Sequence, residues 1–323
     1  MFDDALEHRD GTFGQGCFRC CAGEKIIIFD MTMRKELYER AELIASKFPP
    51  QTMVRFRRFI KGMDHIYSTY PGLTRSAFYD ASDSSALTEW ARLLESSYPL
   101  VRGELEAFLQ HEERRVHFNK YRYRERSAGE ADALEKNEWS QLLFLDRDTF
   151  NEEICDYFPE TKKLIQCLKP ALAPFGQVEL LALAPGGAVL PHTDVTNRQI
   201  TAHLGLIVPE KCGIKVGGKT GSWQEGKVLF FDHMFPHEVW NYSERHRFVL
   251  VINFTHPELT LEECKALVEL ERAAEIFFMS YQPTRWEHVQ FTLRSFYLMV
   301  ARVARWTIPR MFARLNNRYL KWR

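Results

Sequence analysis

No sign of charge predominates in this chain: Lys+Arg and Asp+Glu both number 43 in 323 residues. A global field that would gather nucleic acid or an acidic substrate is therefore excluded, and any electrostatic function has to be local. Cysteine is scarce and odd in number, at positions 17, 20, 21, 155, 167, 212 and 264. That excludes a fully paired disulfide scaffold and points to a reducing, cytoplasmic setting. The first residues, MFDDALEHRD, are acidic and polar where a secretory leader would be basic and then apolar, so none is expected. Uncharged apolar runs all fall short of the roughly 18 residues that a bilayer span needs. Internal repeats and low-complexity tracts are missing as well. The chain does have 45% apolar and 13% aromatic residues, which suffices for one large core, or for one core with a helical annex.

The patterning divides the chain into three regions, 1–138, 139–260 and 261–323. From about Thr32 to Gln110 apolar residues recur at helical spacing, as in Leu37, Ala41 and Ile44, or Leu93, Leu94, Leu100 and Leu105. Arg114–Arg126 alternates aromatics with bases, which suits a solvated edge strand; a nucleic-acid patch is the other reading, and no binding motif surrounds the run to favour it. From Val178 onward short strand-like runs (VELLALA, QITAHLGLIV, GIKV, KVLFF, HEVWNY, RFVLVINF) are separated by turn residues, with no helix between them. That pattern predicts an antiparallel sandwich or barrel of the jelly-roll kind. After Leu259 the helical spacing returns. The tail Val289–Arg323 carries eight bases and no acid, interleaved with Phe296, Leu298, Val303, Trp306 and Ile308. This composition suits peripheral contact with a lipid headgroup layer, and equally a helix pair packed on the protein's own acidic surface.

Gly213–Thr220, GIKVGGKT, matches the phosphate-cradling loop G-x-x-x-x-G-K-[ST], and VLFFD ends at Asp232 as a companion strand would. Phosphate binding there needs a helix directly after the Lys-Thr, because its first amides hold the anion. The next residues are GSWQEGKVLFF, a turn and another strand, so the segment reads as a hairpin loop. Cys17, Cys20 and Cys21 have a spacing that could begin a metal site, but no second paired motif completes one, and they read as reduced loop thiols.

The stronger signal is His192-Thr-Asp194, with His237 lying 43 residues beyond the aspartate. Two imidazoles and one carboxylate fill one face of an Fe(II) octahedron and leave the other for a co-substrate and O2. Two positions apart on an extended segment, His192 and Asp194 point to the same side, and a later strand of the same barrel can supply His237. Arg247, at the start of RFVLVINF, offers a guanidinium fork for the distal carboxylate of 2-oxoglutarate. Its plain alternative is a surface ion pair with Glu238 or Glu244. Asp232 and His233 are candidates for orienting a ligand imidazole, Asp232 the preferred one. Trp223 and Trp240 read as core before they read as a substrate mouth.

Between about Trp139 and Leu259, FPETKKL, PHTDVTN, HLGLIVPEKCGIKVGGKTGSWQEGKVLFFDHMFPHEVWN and RFVLVINFTHPEL resemble the aspartyl/asparaginyl β-hydroxylases, Fe(II)- and 2-oxoglutarate-dependent dioxygenases built on a double-stranded β-helix. The resemblance implies that His192 and His237 bind iron, that Arg247 binds the distal carboxylate of 2-oxoglutarate, and that His203 lies beside the proximal one. Thr201 stands where the animal enzymes place an Arg for that proximal carboxylate. Those enzymes also carry Gly at the Asp194 position, whereas bacterial lipid-hydroxylating relatives resemble this chain in completing the carboxylate.

The expectation is thus an α+β protein: a double-stranded β-helix of jelly-roll, cupin-like form, with a helical N-terminal region and C-terminal helices. Its implied cofactors are Fe(II), 2-oxoglutarate and O2, with His192, Asp194 and His237 as catalytic metal ligands and Arg247, His203 and Thr201 around the co-substrate. The implied substrate is a peptidyl or free Asp/Asn-like residue, with the acyl chain of a membrane lipid as the alternative and no nucleic-acid partner. A non-catalytic metal-containing binding module is the reading from a different class.

Overall fold

The structure is a computed structural model, and it describes residues 31–63, 69–121, 139–174, 176–194 and 196–280. The N-terminal cysteines at 17, 20 and 21 and the basic tail from Val289 lie outside these described residues.

Eight strands form the barrel, and their order is that of a jelly roll. Strands β5 (Gln177–Leu183), β7 (Gln199–Ile207), β10 (Val228–Phe231) and β12 (Arg247–Thr255) make one wall in the order β10-β7-β12-β5. Strands β6 (Ala188–His192), β8 (Cys212–Val216), β9 (Lys219–Gly221) and β11 (His237–Asn241) make the other in the order β6-β11-β8-β9. All pairings are antiparallel, and the chain passes repeatedly from one wall to the other. This is the double-stranded β-helix. The first wall extends beyond the barrel: β3 (Trp139–Asp146) joins β5, β2 (Asn119–Tyr121) closes that edge, and β1 (Phe78–Tyr79) pairs with β10 at the other. A short β4 (Thr149–Phe150) hairpins onto β3.

The extended wall is covered on both faces, which explains why β7 and β12 read as near-continuous apolar runs. Val178, Leu180 and Ala182 of β5, Ile200, Ala202, Leu204 and Leu206 of β7, and Phe248, Leu250, Ile252 and Phe254 of β12 face outward onto helices. There they meet Leu87, Trp90, Leu94, Val101, Leu105 and Phe108 of α3 (Ser85–Leu109), after α1 (Met31–Ala45) and α2 (Val54–Gly62) in the chain, and the inner side chains of the short α4 (Glu152–Cys155) and α5 (Pro159–Leu168). Each such side chain taken fully out of water stabilises by about 1.5–3 kcal/mol. The Trp90 ring stacks on Phe254 at 4.2 Å and 5°. Ser84 opens α3 by accepting from the Leu87 amide, which satisfies one of the donors left over at the helix start. Alternate residues of the same strands, Leu181, Leu183, Val249, Val251 and Phe231, face inward and meet Ile214, Val216, Trp223 and Val239. This second core lines the barrel.

Two expectations shift. Glu112–His117, expected in part as strand, is a 3-10 helix, and the edge strand begins only at Asn119; side-chain alternation alone does not distinguish two tight turns from an extended edge. Phe78–Tyr79 pairs with Phe231 and Phe230, and two residues are too few to display a period of two. Strand β1 therefore comes from the stretch that reads as helical, while β2 falls within the segment that reads as an edge strand. The hairpin reading of Gly213–Thr220 holds: β8 and β9 are joined by Gly217 and Gly218, at φ +54° and +84°, the pair of left-handed positions a tight primed turn requires. The last described helix, α6 (Leu261–Ser280), begins at the expected return to helical spacing. No described helix is long and apolar enough to cross a membrane.

Candidate metal centre

β6 ends on His192 and β11 begins on His237, and the antiparallel register sets the two directly opposite each other. Their rings stand 4.1 Å apart between centroids. Each ring is turned by its own strand: His192 Nδ1 lies 2.8 Å from the Leu190 carbonyl and His237 Nδ1 lies 2.9 Å from the Phe235 carbonyl. A carbonyl can only accept, so Nδ1 carries the proton in both rings and the Nε2 lone pairs are left to bind. Asp194 lies two residues after His192, its amide donating to the His233 carbonyl at 3.0 Å. Its Oδ2 is 4.0 Å from His237 Nε2. One donor atom from each of His192, Asp194 and His237 lies within 4.8 Å of the others, the one group of three such donors among the described residues. Donors that close surround a point reachable by bonds of about 2.1 Å after side-chain-scale adjustment, and the ligand set is the one that suits Fe(II). Burial, reinforced by the neighbouring His192, pushes His237 down to about 4, so at neutral pH it presents a lone pair and not a proton.

Deeper in the barrel lies Arg247, only 2% exposed. Neither Glu238 nor Glu244 pairs with it. Its Nε and Nη1 are buried and have no hydrogen-bond partner among the described residues, and its guanidinium carbon sits 4.7 Å over the Trp223 ring. Burial lowers its pKa to about 10, which leaves it charged at neutral pH. A buried, charged and unpaired fork is expensive to maintain unless a ligand completes it. A carboxylate is the matching ligand.

His203 stands between the two features. Trp223 Nε1 donates to His203 Nδ1 at 3.2 Å, which places the imidazole proton on Nε2. Burial, and then the charges of Arg247 and His237, hold its pKa well below the ordinary histidine value, so the ring is neutral and donates from Nε2 alone. Trp223 thus does more than fill the core. Thr201 is engaged by the protein: its hydroxyl lies 2.9 Å from His233 Nδ1 and 3.0 Å from Asn253 Oδ1.

The orienting residues differ from the preferred expectation. Asp232 touches neither ligand imidazole; it accepts from Arg75 Nε and the Met234 amide, both at 2.8 Å, and so fixes the turn that leads into His237. Arg75 also lies 4.5 Å over the Phe235 ring. His233 is the residue next to the carboxylate ligand, with Nδ1 3.4 Å from Asp194 Oδ2 and Nε2 held by the Thr196 carbonyl at 2.9 Å. The segment bearing Arg75 is tied to the barrel by Tyr70 and Asn197, which exchange two hydrogen bonds of 2.8 and 2.9 Å. Arg75 and Glu179, an inward residue of β5, had no signal in the sequence: Arg75 is remote in the chain, and Glu179 sits in an otherwise apolar strand.

Two four-stranded walls enclosing two histidines and an aspartate define a double-stranded β-helix protein with a facial-triad donor set. A sequence model of the aspartyl/asparaginyl β-hydroxylase family matches residues 95–257, and the chain belongs to that family. It is 37% identical over 135 residues to the mouse aspartyl/asparaginyl β-hydroxylase, a match spanning 41% of this chain and 18% of that protein. It is 30% identical over 219 residues to the ornithine lipid ester-linked acyl 2-hydroxylase of Rhizobium tropici, spanning 66% of this chain and 73% of that one. Among solved structures, a prolyl-4-hydroxylase of Pseudomonas putida is similar over 51% of this chain and 90% of its own, with 20% identity and a TM-score of 0.33.

Proposed function

We propose that this protein is an Fe(II)- and 2-oxoglutarate-dependent dioxygenase that hydroxylates an unactivated C–H bond. The observation that supports this most directly is the pairing of a converged His192, Asp194 and His237 with a buried guanidinium, Arg247, whose Nε and Nη1 have no hydrogen-bond partner among the described residues. When bound, iron, 2-oxoglutarate and O2 supply the oxidation, with 2-oxoglutarate leaving as succinate and CO2 and one oxygen atom passing to the substrate.

The chain's own residues bind, orient and exclude water. His192 and His237 offer Nε2 while their Nδ1 protons rest on the Leu190 and Phe235 carbonyls. Asp194 supplies the carboxylate. Arg247 would hold the distal carboxylate of 2-oxoglutarate through its guanidinium N–H donors, and Trp223 backs that guanidinium. His203, its Nε2 proton fixed by the bond from Trp223, borders a space shared with Arg247 and His237, whose charges act on it. Val249, Val251, Leu181 and Phe231 keep this space dry, which strengthens every charge contact inside it.

On substrate, the likeness to the mouse enzyme supports an Asp/Asn-like residue, and the longer match to the Rhizobium tropici enzyme, together with Asp194, supports an acyl lipid. His237→Ala is expected to abolish succinate formation; full turnover by that variant with iron bound would overturn the proposal. Tight metal binding by the wild-type protein with no 2-oxoglutarate consumption, even with cell extract as substrate, would favour the non-catalytic module.

A further inference from the structure

Glu179 lies on β5 between outward-facing Val178 and Leu180 and shares the inward face with Leu181 and Leu183. The register sets it opposite Val251 of β12, and Val251 opposite His203 of β7. Two strand spacings of about 4.8 Å therefore separate Glu179 from His203 along one cross-strand row of the inner wall. His203 meets Phe231 at 4.9 Å, and Phe231 meets His237 at 5.7 Å between ring centroids, so this row runs at the height of the metal centre. Glu179 does not belong to the donor group itself.

Its Oε2 is shielded from solvent and has no hydrogen-bond partner among the described residues. Glu179 as a residue is half-buried, with Oε2 as its shielded atom, and the two fully buried acids behave differently: Glu263 takes Arg55 and Tyr70, and Asp232 takes Arg75. Buried carboxylates are as a rule paired, because an unpaired one forfeits its hydration without return. Burial, and then the negative charges of Asp194 and Asp146, raise the pKa of Glu179 to about 7. A second carboxylate placed beside it would be repelled, whereas a group with several N–H donors would meet an open acceptor in a negative field. 2-Oxoglutarate is a dianion with its own fork in Arg247, so it is not the missing partner.

We propose that Glu179 is a specificity-determining residue that receives a cationic nitrogen of the substrate, an ammonium group, and rejects substrates presenting a carboxylate at that point. Calling the ligand a substrate rests on the dioxygenase reading, but the binding preference stands independently of it. The ammonium can come from a lysyl or N-terminal amine of a peptide or from an amine-bearing lipid.

The test uses the full chain with Fe(II) and 2-oxoglutarate under nitrogen, with octylamine and octanoate as probes and calorimetry as the readout. Wild type is expected to bind octylamine in preference to octanoate. Glu179→Gln, nearly isosteric, is expected to weaken octylamine binding about 10- to 100-fold, the worth of a charge-assisted hydrogen bond. Glu179→Lys is expected to reverse the preference; it also serves as a control against binding elsewhere, and melting curves establish that each variant is folded. Equal binding of the two probes by wild type, or octylamine affinity retained in Glu179→Gln, would overturn the assignment. Succinate release in air is followed separately: its absence from wild type, with the octylamine preference intact, sinks the dioxygenase reading and leaves Glu179 as an amine site. Addition of a lysyl peptide in one arm and phosphatidylethanolamine vesicles in the other assigns the amine to its source, and failure of both to bind through Glu179 counts against the proposal.

Discussion

Arg247 lies over Trp223, 4.7 Å from guanidinium carbon to ring centroid, and the Nε1 of that same indole donates to His203. One aromatic side chain thus positions both the buried guanidinium and the buried imidazole. The arrangement separates stability from function at Arg247. Replacing it with Met removes an unpaired buried charge and keeps much of the volume, so the ligand-free protein is expected to gain about 1–4 kcal/mol. Wild type is expected to melt higher with 2-oxoglutarate, as with any ligand bound by the folded state alone, and the same variant is expected to show no such rise. Melting curves with and without 2-oxoglutarate check both halves; a variant still stabilised by the ligand would show that the fork is not its anchor.

His233 is the neighbour that holds Asp194 in place. Its carbonyl accepts from the Asp194 amide at 3.0 Å, and its ring, fixed through Nε2 on the Thr196 carbonyl, occupies the space beside the carboxylate with Nδ1 3.4 Å from Asp194 Oδ2. Outer partners of this kind change metal affinity about 10- to 100-fold when removed. His233→Ala is expected to weaken Fe(II) binding by that factor in competition with a chelator, while Asp232→Asn, which loosens only the turn before His237, is expected to have the smaller effect. The reverse order would mean that the turn, not His233, governs the site.

Glu179 also makes a prediction about pH. Its folded pKa, raised to about 7, exceeds the ordinary carboxylate value of about 4.3, so the folded state binds the proton more tightly than the unfolded chain does. Stability from this group is complete below about pH 4 and is lost as the pH rises through 7. In metal-free protein, Glu179→Gln is therefore expected to match wild type at about pH 4.5 and to exceed it by up to about 3 kcal/mol at about pH 8, at roughly 1.36 kcal/mol per pKa unit. Denaturant midpoints of both proteins across that range measure it. Parallel curves would show that the carboxylate is solvated.

The sequence made the centre of this molecule readable and its periphery much less so. His192, Asp194, His237 and Arg247 sit at or beside strand ends, where period two and short turns leave little freedom about the side they face, and the structure brings donor atoms of the three metal-ligand candidates within 4.8 Å of one another. Glu179 was hidden by its surroundings: in VELLALA it reads as one polar residue in a strand, and only the register with Val251 and His203 reveals the row it shares. The choice between Asp232 and His233 turned on a bond from Arg75, 157 residues earlier in the chain than Asp232, which local pattern cannot contain. Two-residue β1 is set by its contact with β10 and not by any propensity of its own.

The helical layer gives the last prediction. Trp90 is 8% exposed and its ring lies parallel to Phe254 at 4.2 Å, bracing β12 from outside, the strand that carries Arg247 at its other end. Trp90→Ala deletes a large buried aromatic and leaves a void between helix and sheet, at an expected loss of about 3–5 kcal/mol. Because Phe254 faces away from the barrel interior, the damage should reach 2-oxoglutarate binding only through β12 as a whole. Affinity measured well below the melting temperature is then expected to change less than about tenfold while the unfolding midpoint falls sharply. A loss of 2-oxoglutarate affinity in proportion to stability would mean instead that α3 sets the register of β12, and that the helical layer forms part of the site's geometry.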